Sequence, residues 1–138
     1  MQGEGFSFGA PVGWKVERRA AELLVGDGTD LVSVTRYPLL RRFRSGQWAK
    51  VVPELDRAAA ALARQQTGTI ADPKTITVGG QAARRYDVLY ERDGKKLTER
   101  ITFVLREKTE YLLVCRYERG ASTDACERLL GSFRLAAA

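Results

Sequence analysis

Hydrophobic and polar residues follow two different periods within the stretch 111–133. A two-residue period places one apolar set on a single strand face, namely Tyr111, Leu113, Cys115 and Tyr117. After a short polar loop, spacings of three, four and seven place a second set on one helix face, namely Cys126, Leu129, Leu130 and Phe133. The pattern predicts a strand followed by a helix whose apolar face packs against it.

Three further strands are predicted just upstream of this stretch, as an antiparallel meander. They are Thr75–Val78, Ala82–Glu91 and Leu97–Arg106. Gly-Gly and Asp-Gly pairs separate them, which is the chemistry of two-residue hairpin turns, and a turn over Glu107–Glu110 leads into the strand at Tyr111. In the third strand, alternation predicts that Leu97, Ile101, Phe103 and Leu105 face inward, while Thr98, Arg100, Thr102 and Arg106 face outward.

The N-terminal half predicts shorter strands and one long helix. Short strands are expected after Phe6, within Val16–Val25 and at Leu31–Tyr37, with a hairpin at the GDGTD run between the last two. Pro38–Gly46 is predicted to be a basic loop. The helix begins at Gln47 or Pro53 and ends at Gln66, and Pro53 favours a first-turn position.

Together these elements predict an α+β fold. We expect a single domain over residues 1–138, with an antiparallel sheet of about six strands flanked by helices. A hydrophobic content of 44% over 138 residues is enough for a buried core. No apolar run approaches the roughly 18 residues that a membrane span needs, so no transmembrane segment is expected.

The net charge of +6, with arginine supplying 17 of the 23 basic residues, favours anionic partners. Phospholipid headgroups, acidic polymers and acidic proteins are the classes considered, and a solvated basic surface is the alternative. The candidate partner or anion patch is Arg36, Arg41, Arg42 and Arg44. Few aromatic residues are interleaved with these arginines and no nucleic-acid motif is present, so we expect no specific nucleic-acid binding.

Catalytic residues of the common types are not expected. The chain has no histidine, the commonest general base and metal ligand, so a Ser-His-Asp or Cys-His arrangement is excluded. Two cysteines eleven residues apart form neither a zinc site nor a Cys-x-x-Cys motif. We therefore expect no enzyme activity, no catalytic residues, no cofactor and no metal.

The two cysteines lie on the faces that should meet, which predicts a disulfide between Cys115 and Cys126. The alternative is a pair of buried thiols that act as small hydrophobic side chains. A disulfide would indicate an oxidising compartment. No export signal stands at Met1, and because a strand begins almost at once, we expect that an export segment precedes this sequence in the full-length protein.

The whole pattern resembles the PsbP-like superfamily, which includes an extrinsic photosystem protein and a Ran-binding nuclear protein. The resemblance is carried by FSFGAPVGW, the central helix, VGGQAARRYDVLY, YLLVCRY and the C-terminal helix that ends in GSF. It implies an α-β-α layered domain and a bacterial branch of exported proteins or lipoproteins, some with a similarly placed cysteine pair. It implies no catalytic residues.

These observations predict a function in binding. We expect a non-enzymatic domain, secreted or anchored to the cell envelope by lipid, that acts by protein–protein interaction with an unknown partner. The alternative is a carrier or sensor of a small apolar or anionic ligand, held in a pocket between sheet and helices.

Overall fold

A computed structural model describes residues 1–137 of the chain. The strands are β1 (Gln2–Gly3), β2 (Phe6–Ser7), β3 (Lys15–Arg19), β4 (Glu22–Asp27), β5 (Asp30–Phe43), β6 (Thr69–Val78), β7 (Gln81–Arg92), β8 (Lys95–Glu118) and β9 (Arg134–Leu135). The helices are a 3-10 turn (Ser45–Gln47), α1 (Trp48–Gln65) and α2 (Asp124–Ser132).

The fold is α+β, as predicted. Six strands form an antiparallel sheet in the order β3-β4-β5-β8-β7-β6, and β1-β2-β9 form a second, three-stranded sheet. Gly79, Gly80, Asp93 and Gly94 all have positive φ, which is the geometry of the tight hairpin turns predicted on either side of β7.

Two hydrophobic cores lie on opposite faces of the main sheet. One contains Leu55 and Ala59 of α1 together with Phe103 of β8. The other contains Leu129 of α2 together with Val104, the next residue of β8. Since neighbouring residues of a strand point to opposite faces, the helices cover different sides and the domain has three layers, α-β-α.

The prediction that one side of β8 faces outward is wrong for part of that strand. Thr98 and Thr102 were expected to be exposed but are buried. The side of the sheet that carries them also carries α2 and its core, so both faces of β8 are covered. A strand buried on both faces loses the plain alternation on which the prediction relied.

Element β8 reverses direction near Glu107, which has a φ of 54°. Its first arm pairs with β7 and its second arm with β5. The backbone N–H of Arg119 donates to the carbonyl oxygen of Lys96 at 2.9 Å, whereas a straight strand would separate these residues by about 75 Å. The two arms therefore lie side by side, in agreement with the turn predicted over Glu107–Glu110.

Three predicted boundaries in the rest of the chain are wrong. The segment Val16–Val25 is not one strand but parts of β3 and β4, which meet at a turn over Ala20 and Ala21. Pro38–Gly46 is not a loop throughout, because β5 continues to Phe43. The edge strand β6 begins at Thr69, six residues before the predicted start.

Helix α1 begins at Trp48, so Pro53 lies within the helix and not in its first turn. Leu55, Ala59 and Ala63 form its buried stripe, at the spacing of four that an amphipathic helix requires. Beyond the helix end, Thr67 adopts a φ of 55° and the N–H of Gly68 donates to the carbonyl of Ala63 at 2.8 Å. This closing bond satisfies one of the free carbonyl groups at the helix end.

Candidate functional site

Cys115 of β8 and Cys126 of α2 form a disulfide with a Cα–Cα distance of 5.5 Å. The residues are 1% and 2% exposed, and they lie within the core between α2 and the sheet. Buried sulfur atoms of this kind are inaccessible to thiol reagents. The arrangement is suited to holding α2 on the sheet and not to redox exchange.

The C-terminal end of β5 forms a wide bulge. Pro38 pairs with Thr109 of β8 and Phe43 pairs with Glu107, so the four residues Leu39–Arg42 stand opposite Lys108 alone. Leu39 and Phe43 pack against the α1 core, and the ring of Phe43 contacts that of Trp48 edge-on, with centroids 6.3 Å apart. The base of the bulge is thus held by the core while its apex projects from the sheet.

The apex of the bulge carries Leu40, Arg41 and Arg42, and Arg44 follows directly. We call these four residues the bulge patch. Leu40 is 102% exposed and the three arginines are also exposed. Arg42 lies 3.8 Å from Glu107, and within residues 1–137 Arg41 and Arg44 make no salt bridge.

The fourth arginine of the predicted patch is engaged elsewhere. Arg36 belongs to the regularly paired part of β5 and its side chain lies 3.0 Å from Glu4. Its neighbour Val34, two residues earlier, belongs to the core on the α2 side, and so Arg36 shares that side of the sheet. The structure brings together Arg41, Arg42 and Arg44 but separates Arg36 from them.

A polar contact joins α1 to the sheet. Asp56 accepts hydrogen bonds from Arg84, with Nε–Oδ1 at 3.1 Å, and from the hydroxyl of Tyr86. Burial, followed by the bond to Asp56, raises the pKa of Tyr86. The neutral phenol is therefore a permanent donor, and the contact serves to position the helix.

A second polar cluster lies on the α2 side of the sheet, where no functional residue was predicted. Arg100 donates to Asp87 through Nε at 2.9 Å, and Arg85 lies 3.8 Å from the other oxygen of Asp87. All three side chains are largely buried, and neither Arg85 Nε nor Thr102 Oγ1 has a hydrogen-bond partner. The only sequence signal was the alternation of charged and apolar residues along β7.

On the opposite side of the sheet, β8 places a carboxyl group beside a phenol. Burial raises the pKa of Glu99, and the nearby charge of Arg116 partly opposes this rise. Burial also raises the pKa of Tyr90. These groups favour their neutral forms more than they would in water.

Half of the main sheet is left without a helix on the α1 side, because α1 packs on β6 and β7. Leu24, Leu31 and Thr35 of β4 and β5 lie there and are half-buried, and we call them the open face. Ser33 lies on the same side of β5 but is buried, at 5% exposure. Leu24 pairs with Ser33, and neither Leu24 nor Leu31 belongs to either core. Glu17 is the partner of Leu24 across the ladder, and Arg116 is the partner of Leu31.

Three surface depressions offer limited space for a ligand. One of about 230 Å³ lies between the two sheets beside Arg18 and Arg36, and one of about 140 Å³ lies beside the disulfide and Trp14. Both are below the roughly 300–1,000 Å³ typical of small-molecule sites. The third, of about 480 Å³, is an open depression at the turn between β6 and β7.

Comparison with known proteins shows similarity in fold. The chain is similar to a protein of Bacteroides thetaiotaomicron VPI-5482, with a TM-score of 0.68 and 11% identity over 96% of this chain and 45% of that one. It is also similar to LpqN of Mycobacterium tuberculosis, which is involved in cell envelope biogenesis, with a TM-score of 0.56 and 11% identity over 96% of this chain and 83% of LpqN.

These comparisons establish the fold alone, because the identities are low. The chain spans less than half the length of the Bacteroides protein. No family model matches it, and no curated protein matches it in sequence. Membership of the PsbP-like superfamily therefore stays a prediction.

Residues 1–137 contain no group of three histidine, cysteine, aspartate or glutamate side chains that could hold a metal ion. Over the same residues, neither helix has the length and apolar character needed to cross a bilayer.

Proposed function

We propose that this chain is a non-enzymatic binding domain of the bacterial cell envelope, which acts by protein–protein contact through the open face. The observation that carries the proposal is the uncovered half of the main sheet. Leu24 and Leu31 lie there half-buried and outside both cores, next to the small polar side chain of Thr35. A sheet surface of this composition suits another protein better than a small ligand.

The charges around the open face also favour a protein partner. Glu17 lies at one end of the row that contains Leu24 and Ser33, and Arg116 lies next to Leu31 in the adjacent row. Both signs of charge thus border a small apolar strip, which is the arrangement of a polar rim around an apolar centre. A surface that carried only positive charges would instead attract a polyanion.

Two observations support the location outside the cytoplasm. The disulfide between Cys115 and Cys126 is of a kind that persists in oxidising compartments. LpqN, which shares the fold, is involved in cell envelope biogenesis. The PsbP-like resemblance points to the same exported branch, and an N-terminal lipid anchor in the full-length protein would fit this location.

Site-specific photo-crosslinking in the native host tests the proposal. A photoreactive amino acid replaces Leu31 or Thr35 on the open face, and Arg57 on the solvent side of α1 as the matched control. We expect one discrete protein adduct from the two open-face positions and none from Arg57. Leu24→Arg in the same background should abolish the adduct, because it places a charge in the apolar strip without disturbing either core.

Two results would contradict the proposal. Adducts of equal pattern from Arg57 and from the open face would indicate random collisions. The absence of any adduct from the open face, in a protein shown by circular dichroism to be folded, would leave the surface without a partner.

A further inference from the structure

The bulge patch combines an apolar apex with positive charge, and neither feature is explained by the fold. The inward-pointing Leu39 and Phe43 already anchor the bulge in the core. Leu40, in contrast, is 102% exposed and contacts neither core. Because the base of the bulge is fixed, Leu40 and the flanking arginines are held together at one exposed point of the surface.

The charge around the apex is strongly positive. Arg41, Arg42 and Arg44 are joined by Lys108, which stands opposite the bulge in the ladder and is also exposed. Glu107 is the acidic side chain that reaches this group, at 3.8 Å from Arg42. Four positive charges and one negative charge therefore leave three positive charges around a single leucine.

We infer that the bulge patch binds the surface of a membrane containing anionic phospholipids, with Leu40 inserted at the headgroup boundary and Arg41, Arg42 and Arg44 on lipid phosphates. An anionic bilayer offers an apolar layer directly beneath a layer of negative charge, which matches this order of groups. A soluble polyanion would satisfy the arginines but would offer nothing to Leu40. The inference goes beyond the proposed function, because it assigns a different surface and a lipid partner.

Vesicle co-sedimentation of the purified domain tests the inference. We expect binding to vesicles of phosphatidylglycerol and phosphatidylcholine, no binding to phosphatidylcholine alone, and a loss of binding as salt is raised. The variant Arg41→Gln/Arg42→Gln/Arg44→Gln should bind about a hundredfold more weakly, at about fivefold for each basic residue near an anionic surface. Leu40→Ser should weaken binding about tenfold through lost apolar contact.

The chain supplies a matched control for each variant. Lys15→Gln/Arg57→Gln/Arg64→Gln removes the same number of charges from exposed positions outside the patch, so both triple variants lower the net charge from +6 to +3. Val12→Ser removes an apolar side chain that is 96% exposed at another site. Both controls should bind the anionic vesicles with no more than a severalfold loss.

The controls also define the results that would overturn the inference. Equal losses in the two triple variants would mean that binding depends on net charge alone. Unchanged binding by Leu40→Ser, together with competition by heparin, would identify a polyanion site and exclude insertion. Failure of the unaltered domain to bind anionic vesicles would overturn the inference while leaving the crosslinking result for the open face unaffected.

The variant Leu40→Trp gives an independent measurement of insertion. Its added fluorescence should shift to shorter wavelength when anionic vesicles are mixed in, because the indole leaves water for the interface. Val12→Trp should show no such shift. A shift of equal size in both variants would also overturn the inference.

Discussion

Opening the disulfide between Cys115 and Cys126 should lower the free energy of unfolding by about 3 kcal/mol. The sequence separation of 11 closes a loop of about a dozen residues, for which the chain-entropy model gives that value. Both residues are buried, so the reduced thiols can stay packed as small hydrophobic groups in the folded state. Reduction therefore acts mainly on the unfolded chain, which gains conformational entropy. With a urea slope of about 1.5 kcal/mol/M, the unfolding midpoint should fall by about 2 M.

The assay is urea unfolding monitored by tryptophan fluorescence, in the presence and in the absence of a reductant. The reduced protein should also show a steeper slope, because its unfolded chain is less compact and exposes more surface. The control is Cys115→Ala/Cys126→Ala, whose midpoint should not respond to reductant. Equal midpoints for oxidised and reduced protein would refute the reasoning, as would labelling of free thiols in unfolded protein that had never been reduced.

Three further predictions concern single side chains. Asp56 accepts a hydrogen bond from the hydroxyl of the buried Tyr86, so Asp56→Ala should cost about 1–3 kcal/mol in urea unfolding, and Asp56→Asn less. In Gly68→Ala the new Cβ would lie 2.7 Å from a backbone oxygen of β7, which should cost about 1–3 kcal/mol, whereas Gly46→Ala meets open space and should cost little. Burial raises the pKa of Glu110 above its ordinary 4.5, so the folded state keeps this proton to higher pH than the unfolded chain. Stability then falls as pH rises through that window, and Glu110→Gln should flatten the fall in urea midpoints measured across it.

Each of these predictions has a contradicting result. Equal losses from the Ala and Asn variants of Asp56 would show that the hydrogen bond is not what the residue contributes. Equal effects at Gly68 and Gly46 would remove the steric argument. An unaltered pH dependence in Glu110→Gln would mean that the carboxyl titrates alike in the folded and unfolded states.

Local chemistry accounts for the parts of the fold that could be predicted from the sequence. Two-residue hairpin turns of type I′ need positive φ at both positions, and the Gly-Gly and Asp-Gly pairs on either side of β7 provide it. The apolar spacings around Cys115 and Cys126 likewise predict which strand face and helix face meet. The turn between β3 and β4 was missed, because Ala20 and Ala21 form it without any turn-forming residue.

Long-range pairing accounts for most of the remaining errors. The segment after Pro38 has the composition of a basic loop, yet it is held as part of β5 because an arm of β8 lies beside it. The bulge then divides the predicted arginine patch, since Arg36 remains in the regular ladder whereas Arg41 and Arg42 belong to the bulge. The cluster around Asp87 was missed because a single strand pattern does not show that both faces of the sheet are covered.

The pairing of the two chain ends has a consequence for the order of folding. Strand β9 pairs with β2, and the N–H of Ala136 donates to the carbonyl of Gly5 at 2.8 Å. During synthesis, which proceeds from the N-terminus, β2 is made long before its partner β9, and the three-stranded sheet cannot close until β9 is available. Non-local pairing of this kind slows folding. Strands β1 and β2 should therefore be the last part of the domain to become resistant to proteolysis as it folds.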